Sequence, residues 1–219
     1  MAGVVKRTIK QKIKDSVRNT GLWQGLLLPI KSRRDLKRWF AAGRPAPVPH
    51  AVKVRNILCL ADLFGLDVLV ETGTFEGVMI DATLAHFRQI YSIEIFEPLA
   101  IRARRRFAAN AQVNILCGDS ADLLPGLLEK LTEPVLFWLD GHFSGEGTGI
   151  GAEESPILAE IAHILRLRSA YADVIIVDDT TCFTCGGGYP KLDDFVESLK
   201  AQFGRTVRVA DDAIFILPY

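Results

Sequence analysis

Carboxylates close a series of apolar runs in the second half of the chain. Val68-Leu-Val-Glu71, Ile90-Tyr-Ser-Ile-Glu94, Val135-Leu-Phe-Trp-Leu-Asp140 and Val174-Ile-Ile-Val-Asp178 each end on an acid, with Asp179 following the last. Val113-Asn-Ile-Leu-Cys117 leads into Gly118-Asp119-Ser120. Placing an unpaired carboxylate beside buried apolar residues is costly. One such acid can serve as a helix cap, and capping covers part of Asp119-Ser120. A whole row of them at one rim asks for a ligand. The first run opens into Glu71-Thr72-Gly73-Thr74-Phe75-Glu76-Gly77, which fits E-x-G-x-x-x-G. Gly73 permits close backbone approach to a ligand, and the helix after Gly77 offers N–H groups to an anion such as a carboxylate. A plain tight turn is the competing reading. Glu94, with Ile95 beside it, lies about twenty residues further on, where a carboxylate accepts hydrogen bonds from both ribose hydroxyls of an adenosine ligand. Glycine loop, Glu94 and Asp119-Ser120 are spaced one strand apart, suiting the amino-acid tail, ribose and adenine of such a ligand in turn.

These residues work together only if the runs are parallel strands with their carboxyl ends on one side. Apolar residues at consecutive positions, many β-branched or aromatic, mark strands buried on both faces. Between them, 76–88, 98–109, 121–131 and 153–169 are long enough for crossover helices; Ile157, Ile161, Ile164 and Leu165 recur at helical spacing in the last. Pro98 suits a first helical turn. After a helix near 192–203, Thr206–Val209 and Ile214–Leu217 are joined too tightly to be parallel. The expected fold is α/β: a doubly wound, Rossmann-like, seven-stranded sheet, mostly parallel with a C-terminal antiparallel hairpin and helices on both faces.

Over roughly residues 66–180, Glu71-Thr-Gly-Thr-Phe-Glu-Gly-Val78 and the acids that follow resemble the class I methyltransferases that use S-adenosylmethionine. The likeness is to metal-dependent O-methyltransferases, namely the catechol and caffeoyl-CoA enzymes and the macrocin-type sugar enzymes. It implies that Gly73 and Thr74 line the methionine end, Glu94 the ribose, and Asp119 with Ser120 the adenine edge, with Glu71, Thr72, Gly77, Ile95 and Asp140 also at the cofactor. It also implies a metal. Asp140, in Trp138-Leu-Asp-Gly-His142, and the pair Asp178-Asp179 stand where that family places its ligands. Three converging carboxylates repel unless a hard cation such as Mg²⁺ neutralises them. Such an ion would lower the pKa of an acceptor hydroxyl. In the other reading Asp140 only holds the cofactor and Asp178-Asp179 cap a helix. His142 is the sole histidine expected at this rim; its near-neutral pKa suits a base that takes the acceptor proton, and a surface hydrogen-bonding role competes.

The 219 residues carry 26 basic and 26 acidic side chains, but unevenly. Residues 1–55 hold 14 Lys and Arg against Asp15 and Asp35, a net of +12; the remainder holds 12 bases against 24 acids, a net of −12. The border follows Arg44-Pro-Ala-Pro-Val-Pro49, where prolines favour an extended linker or wrapping arm. The expected domains are therefore a basic arm, 1–55, and a catalytic domain, 56–219. Val5, Ile9, Ile13 and Val17 form an apolar stripe among lysines. It suits either an anionic membrane surface, placing the protein at the inner face of the cytoplasmic membrane, or packing as a lid or homodimer contact. No aromatic-interleaved basic motif points to nucleic acid. No apolar run spans a bilayer or leads to a cleavage site. Scattered cysteines indicate a reduced, cytoplasmic setting; Cys182-Phe-Thr-Cys185 lacks two further zinc ligands and, with the glycines after it, reads as a loop over the substrate pocket. Arg104-Arg-Arg106 reads as a solvated helix face. The leading expectation is an O-methyltransferase for a small hydroxylated acceptor. A non-catalytic adenosyl-ligand domain docking through its arm is the alternative, and a nicotinamide-dependent oxidoreductase fits the terminal hairpin poorly.

Overall fold

The computed structural model describes residues 28–141, 156–184, 186 and 189–218. His142, the stripe of residues 5–17 and Cys185 lie outside the described residues. Contacts divide the chain into Met1–Val52 and Lys53–Tyr219. In the first unit, helix α1 (Leu28–Ala41) presents Trp39 to Val48 and Val52. The proline segment wraps this ring: the indole N–H donates to the Pro45 carbonyl at 2.7 Å, and the Arg44 guanidinium lies 5.3 Å from the ring centroid. Helix α2 (His50–Phe64) runs through residue 55, so the border expected there falls inside a helix.

In the second unit the strands are β1 (Val68–Thr72), β2 (Gln89–Glu94), β3 (Val113–Cys117), β4 (Leu136–Leu139), β5 (Val174–Val177), β6 (Thr206–Ala210) and β7 (Ala213–Leu217). They form one sheet in the order β3-β2-β1-β4-β5-β7-β6, the expected architecture. The first five are parallel, and β7 is antiparallel to both β5 and β6. Side chains alternate between two cores, as the two-residue period of a strand requires. Val68, Val70, Phe137, Leu139, Ile175 and Val177 enter one, with the helices α5 (Ser120–Leu128), α6 (Ile157–Leu167) and α7 (Leu192–Phe203). Leu69, Leu136, Trp138, Val174 and Ile176 enter the other, with α2, α3 (Val78–Thr83) and α4 (Glu97–Arg106).

Asp211 and Asp212 join β6 to β7 with φ of 49° and 56°. Two successive left-handed residues make the turn whose twist matches a hairpin. Pro98 sits in the first turn of α4 as expected. Two expectations need correction. The helix expected over 76–88 shrinks to α3, six residues long, because Thr83 turns its hydroxyl back onto the Met79 carbonyl and the chain then dives to bury Phe87. Arg106 is not simply solvated: it is half-buried and donates to the Glu76 carbonyl and the Asp81 carboxylate, clamping the glycine loop to α4. Arg104 and Arg105 are exposed, although the Arg104 Nε donates to the Ile115 carbonyl at 3.1 Å.

At the amino ends of β4 and β5 an unforeseen ion pair is sealed in. Arg168, 1% exposed, donates to Asp173 at 2.8 and 3.0 Å and to the carbonyls of Leu131 and Glu133, while Asp173 accepts from the Val135 amide. Among the described residues no helix is long and apolar enough to cross a membrane.

Candidate active site

Parallel register puts the carboxyl ends of five strands on one rim: Thr72 pairs with Ile93 and with Leu139, Leu139 with Val177, and Glu94 with Cys117. Glu71, Glu94, Asp119, Asp140, Asp178 and Asp179 therefore stand at successive strand ends. The loop after β1 is folded by its neighbours. Gly73 has φ of +85°, and a Cβ there would sit 2.5 Å from the Asp140 carbonyl oxygen. The close approach that demands glycine is thus made by the chain leaving β4, in addition to any ligand. Gly77 caps α3 in a left-handed conformation, and its missing Cβ faces the Phe107 ring at 2.7 Å. Phe75 is left-handed too, φ +47°, and 54% exposed. A bulky residue held in that region marks a loop fixed by its surroundings.

The restraint on Phe75 is Glu94. One carboxylate oxygen accepts from the Phe75 amide at 2.7 Å and the other from the Phe96 amide at 2.9 Å. Both oxygens are oriented by backbone donors, and each keeps a lone pair for a further donor. Ile95, half-buried, lies between them in sequence.

Behind the loop is a buried polar chain. Ser92 donates to Glu71 at 2.5 Å and shares a hydrogen bond of 2.6 Å with Thr74. Burial pushes the Glu71 carboxyl up to about 8, with Asp140 and Glu94 adding to the rise and Ser92 opposing it. Thr72 is fully buried and donates to Glu160 at 3.3 Å. Thr72 and Thr74 thus turn their hydroxyls into the protein, while the Gly73 and Thr74 amides donate to the Ile93 carbonyl at 2.9 and 3.3 Å. Ser120 also hydrogen-bonds Glu160, while Asp119 caps α5 by accepting from the Ala121 amide at 2.9 Å. The capping reading of Asp119 is realised in the fold.

Glu160 was not among the expected site residues. It is completely buried, burial pushes its carboxyl up to about 7, and its Oε1 has no hydrogen-bond partner among the described residues. The signal was present: Glu160 lies on the same helical face as Ile157, Ile161 and Ile164, an acid within an apolar stripe.

On the other side of β4, Asp140, Asp178 and Asp179 bring one oxygen each within 4.8 Å of one another. Asp178 is 5% exposed and Asp179 has φ of +54°. Their loop is tied to the hairpin turn: the Thr180 hydroxyl and Thr181 amide donate to the Asp212 carboxylate at 2.7 and 3.2 Å, and the Thr180 amide to its carbonyl at 3.0 Å. The second residue that sequence reasoning missed is Lys53 of α2, whose Nζ hydrogen-bonds Asp178 and lies 3.2 Å from Asp179. Burial opposes the Lys53 charge, but Asp178, Asp179 and Asp140 outweigh it and hold its pKa above the ordinary value. Burial, then Asp140, raise the Asp178 carboxyl. Three carboxylates are a donor set suited to Mg²⁺, and an ammonium lies on two of them. The Asp178 Oδ1 is buried and has no hydrogen-bond partner among the described residues.

Sheet order, terminal hairpin and acid-lined rim together define the Rossmann-like fold of the class I methyltransferases. Solved structures agree. The chain is similar to the O-methyltransferase TomG of Streptomyces achromogenes, solved with S-adenosylmethionine, at 19% identity and a TM-score of 0.56, covering 84% of this chain and 87% of that one. It is similar to an O-methyltransferase of Bacillus cereus, solved with S-adenosylhomocysteine, at 18% identity and 0.58, covering 90% and 94%. The Podospora anserina methyltransferase PaMTH1, also bound to S-adenosylhomocysteine, aligns at 15% identity and 0.56, covering 84% and 86%. No protein-family model and no curated protein matches the chain.

Proposed function

We propose that this protein is an S-adenosylmethionine-dependent methyltransferase acting on a hydroxyl of a small acceptor such as a sugar, a glycoside or another secondary metabolite. The observation that carries the reading is Glu94: a carboxylate at the end of β2, both oxygens aimed by backbone amides, one of them the amide of the glycine loop. That is a ribose-diol acceptor fixed before any ligand arrives. The donor set also suits a cation. Glu71 and Asp140 lie beside the glycine loop, and Glu71 is buried among hydroxyls with its carboxyl already pushed up to about 8. A positively charged ligand would draw it back toward ionisation. The structures reported above, solved with the methyl donor or its product, support the same assignment.

S-adenosylmethionine supplies an electrophilic methyl group on a sulfonium. The protein's own task is to hold, orient and deprotonate. Glu94 fixes the ribose, the glycine loop the amino-acid end, and the start of α5 the adenine edge. Asp140 stands one strand over, at the end of β4. Asp140 is one group proposed to take the acceptor hydroxyl's proton as its oxygen attacks. His142 is the other group proposed to take that proton. The arm is proposed to serve as a homodimer contact or lid, with a peripheral membrane role as the competing assignment.

Calorimetry with S-adenosylhomocysteine tests the reading. Binding is the expected result, and its absence would remove the cofactor from the proposal. A screen with labelled methyl donor against pooled hydroxylated metabolites then identifies the acceptor.

A further inference from the structure

The acid cluster at the ends of β4 and β5 has a cation of its own. Asp140, Asp178 and Asp179 each bring an oxygen within 4.8 Å of the others, a concentration of negative charge that needs an opposing charge nearby. Lys53 reaches it from α2, 125 positions before Asp178 in the chain. Its Nζ hydrogen-bonds Asp178 and lies 3.2 Å from Asp179. The geometry is not that of a loose surface pair: the Lys53 side chain is 17% exposed and that of Asp178 is 1% exposed. An ammonium has three donors, and these two carboxylates engage two of them.

We propose that Lys53 is the resident cation of this site: its ammonium takes the place a divalent ion would take among Asp140, Asp178 and Asp179, and its remaining N–H faces the oxygen of the acceptor. The assignment of the cation stands on the cluster alone; the role toward the acceptor rests on the methyl-transfer reading. A tethered ammonium differs from a metal in chemistry. It carries one charge instead of two, donates hydrogen bonds instead of taking lone pairs, and is built into the chain. The substrate class this favours is a neutral hydroxyl bound through a single oxygen. A vicinal diol, which chelates a metal through two oxygens, gains nothing here.

The test is ion binding by the full-length protein, stripped with EDTA and titrated with Mn²⁺, followed by the electron paramagnetic resonance signal of the free ion. The wild type is expected to show no saturable binding up to millimolar Mn²⁺. Lys53→Met, nearly the same in shape, is expected to gain a site at least about tenfold tighter than anything the wild type offers. Asp178→Asn in that background is expected to remove it, and Lys53→Arg to remain ion-free. Stoichiometric micromolar binding by the wild type would overturn the proposal without need of any variant. No gain in a folded Lys53→Met protein would overturn it as well. S-adenosylhomocysteine calorimetry on the same samples keeps the two ideas apart: failure there removes the methyl-transfer reading and leaves the ion result intact.

Discussion

Glu94 has one job in the fold and a second under the proposed function. Its oxygens hold the glycine loop and the turn into α4 while remaining able to accept from a ribose. Glu94→Ala is expected to weaken S-adenosylhomocysteine by about 1–2 kcal/mol, the scale of charge-assisted hydrogen bonds, and to lower the melting temperature as the Phe75 amide loses its acceptor. Unchanged affinity in calorimetry would remove Glu94 from the cofactor site. Gly73→Ala tests the close approach behind it: left-handed φ and a Cβ 2.5 Å from the Asp140 carbonyl predict a loss of at least about 1–3 kcal/mol in chemical denaturation. Glu71 gives the pH dependence. With its carboxyl at about 8, the free site is protonated at neutral pH, so affinity for S-adenosylmethionine should rise with pH up to about 8 and then level. Glu71→Gln should flatten that profile. For stability the sign is opposite. Glu71 and Glu160 hold protons in the folded state that the unfolded chain releases near 4.5, so stability falls as pH rises from about 4.5 to about 7 or 8. Glu160→Gln should lessen that fall and melt a few degrees above the wild type at pH 8. Glu71, Glu94 and Asp140 were legible in the sequence because each ends an apolar run. Lys53 was not, since its partners are 125 and 126 positions away and it sits in a segment crowded with bases.

Elements read from sequence as well as their patterns allowed. The five parallel strands and the hairpin were evident from β-branched runs and the short connection between Val209 and Ile214. Helix α3 was overdrawn because the amphipathic pattern of 76–88 is also satisfied by a short helix followed by turns. The Arg168–Asp173 pair escaped notice because a charged pair five residues apart reads as surface. It instead fastens the amino ends of β4 and β5, at the opposite edge of the sheet from the rim. Removing one partner of a sealed ion pair leaves the other buried and uncompensated. Arg168→Met is therefore expected to cost about 3–5 kcal/mol in urea denaturation while leaving S-adenosylhomocysteine affinity in the surviving folded protein unchanged. A loss below about 1 kcal/mol would show that the pair contributes little.

At the scale of the whole chain, charge is divided: +12 over residues 1–55 and −12 over the rest. An acidic rim suits a cationic methyl donor, and the basic segment is the one proposed to serve association. Deleting residues 1–40 is expected to convert a dimer to a monomer in size-exclusion chromatography without altering cofactor affinity. Co-sedimentation of the intact protein with anionic liposomes, lost on the same deletion, would assign the segment to a membrane surface instead. Composition made the division visible, but nothing in it distinguishes a protein partner from a lipid one.

Hairpin tips are ordinarily where a fold best tolerates inserted residues or a nick. The tip formed by Asp211 and Asp212 is an exception. Asp212 is the tether of Thr180 and Thr181, immediately after the acid pair, so lengthening that tip would unfasten the rim from across the sheet. Tags or domains grafted at this inviting spot should disturb the acid rim while leaving the protein folded.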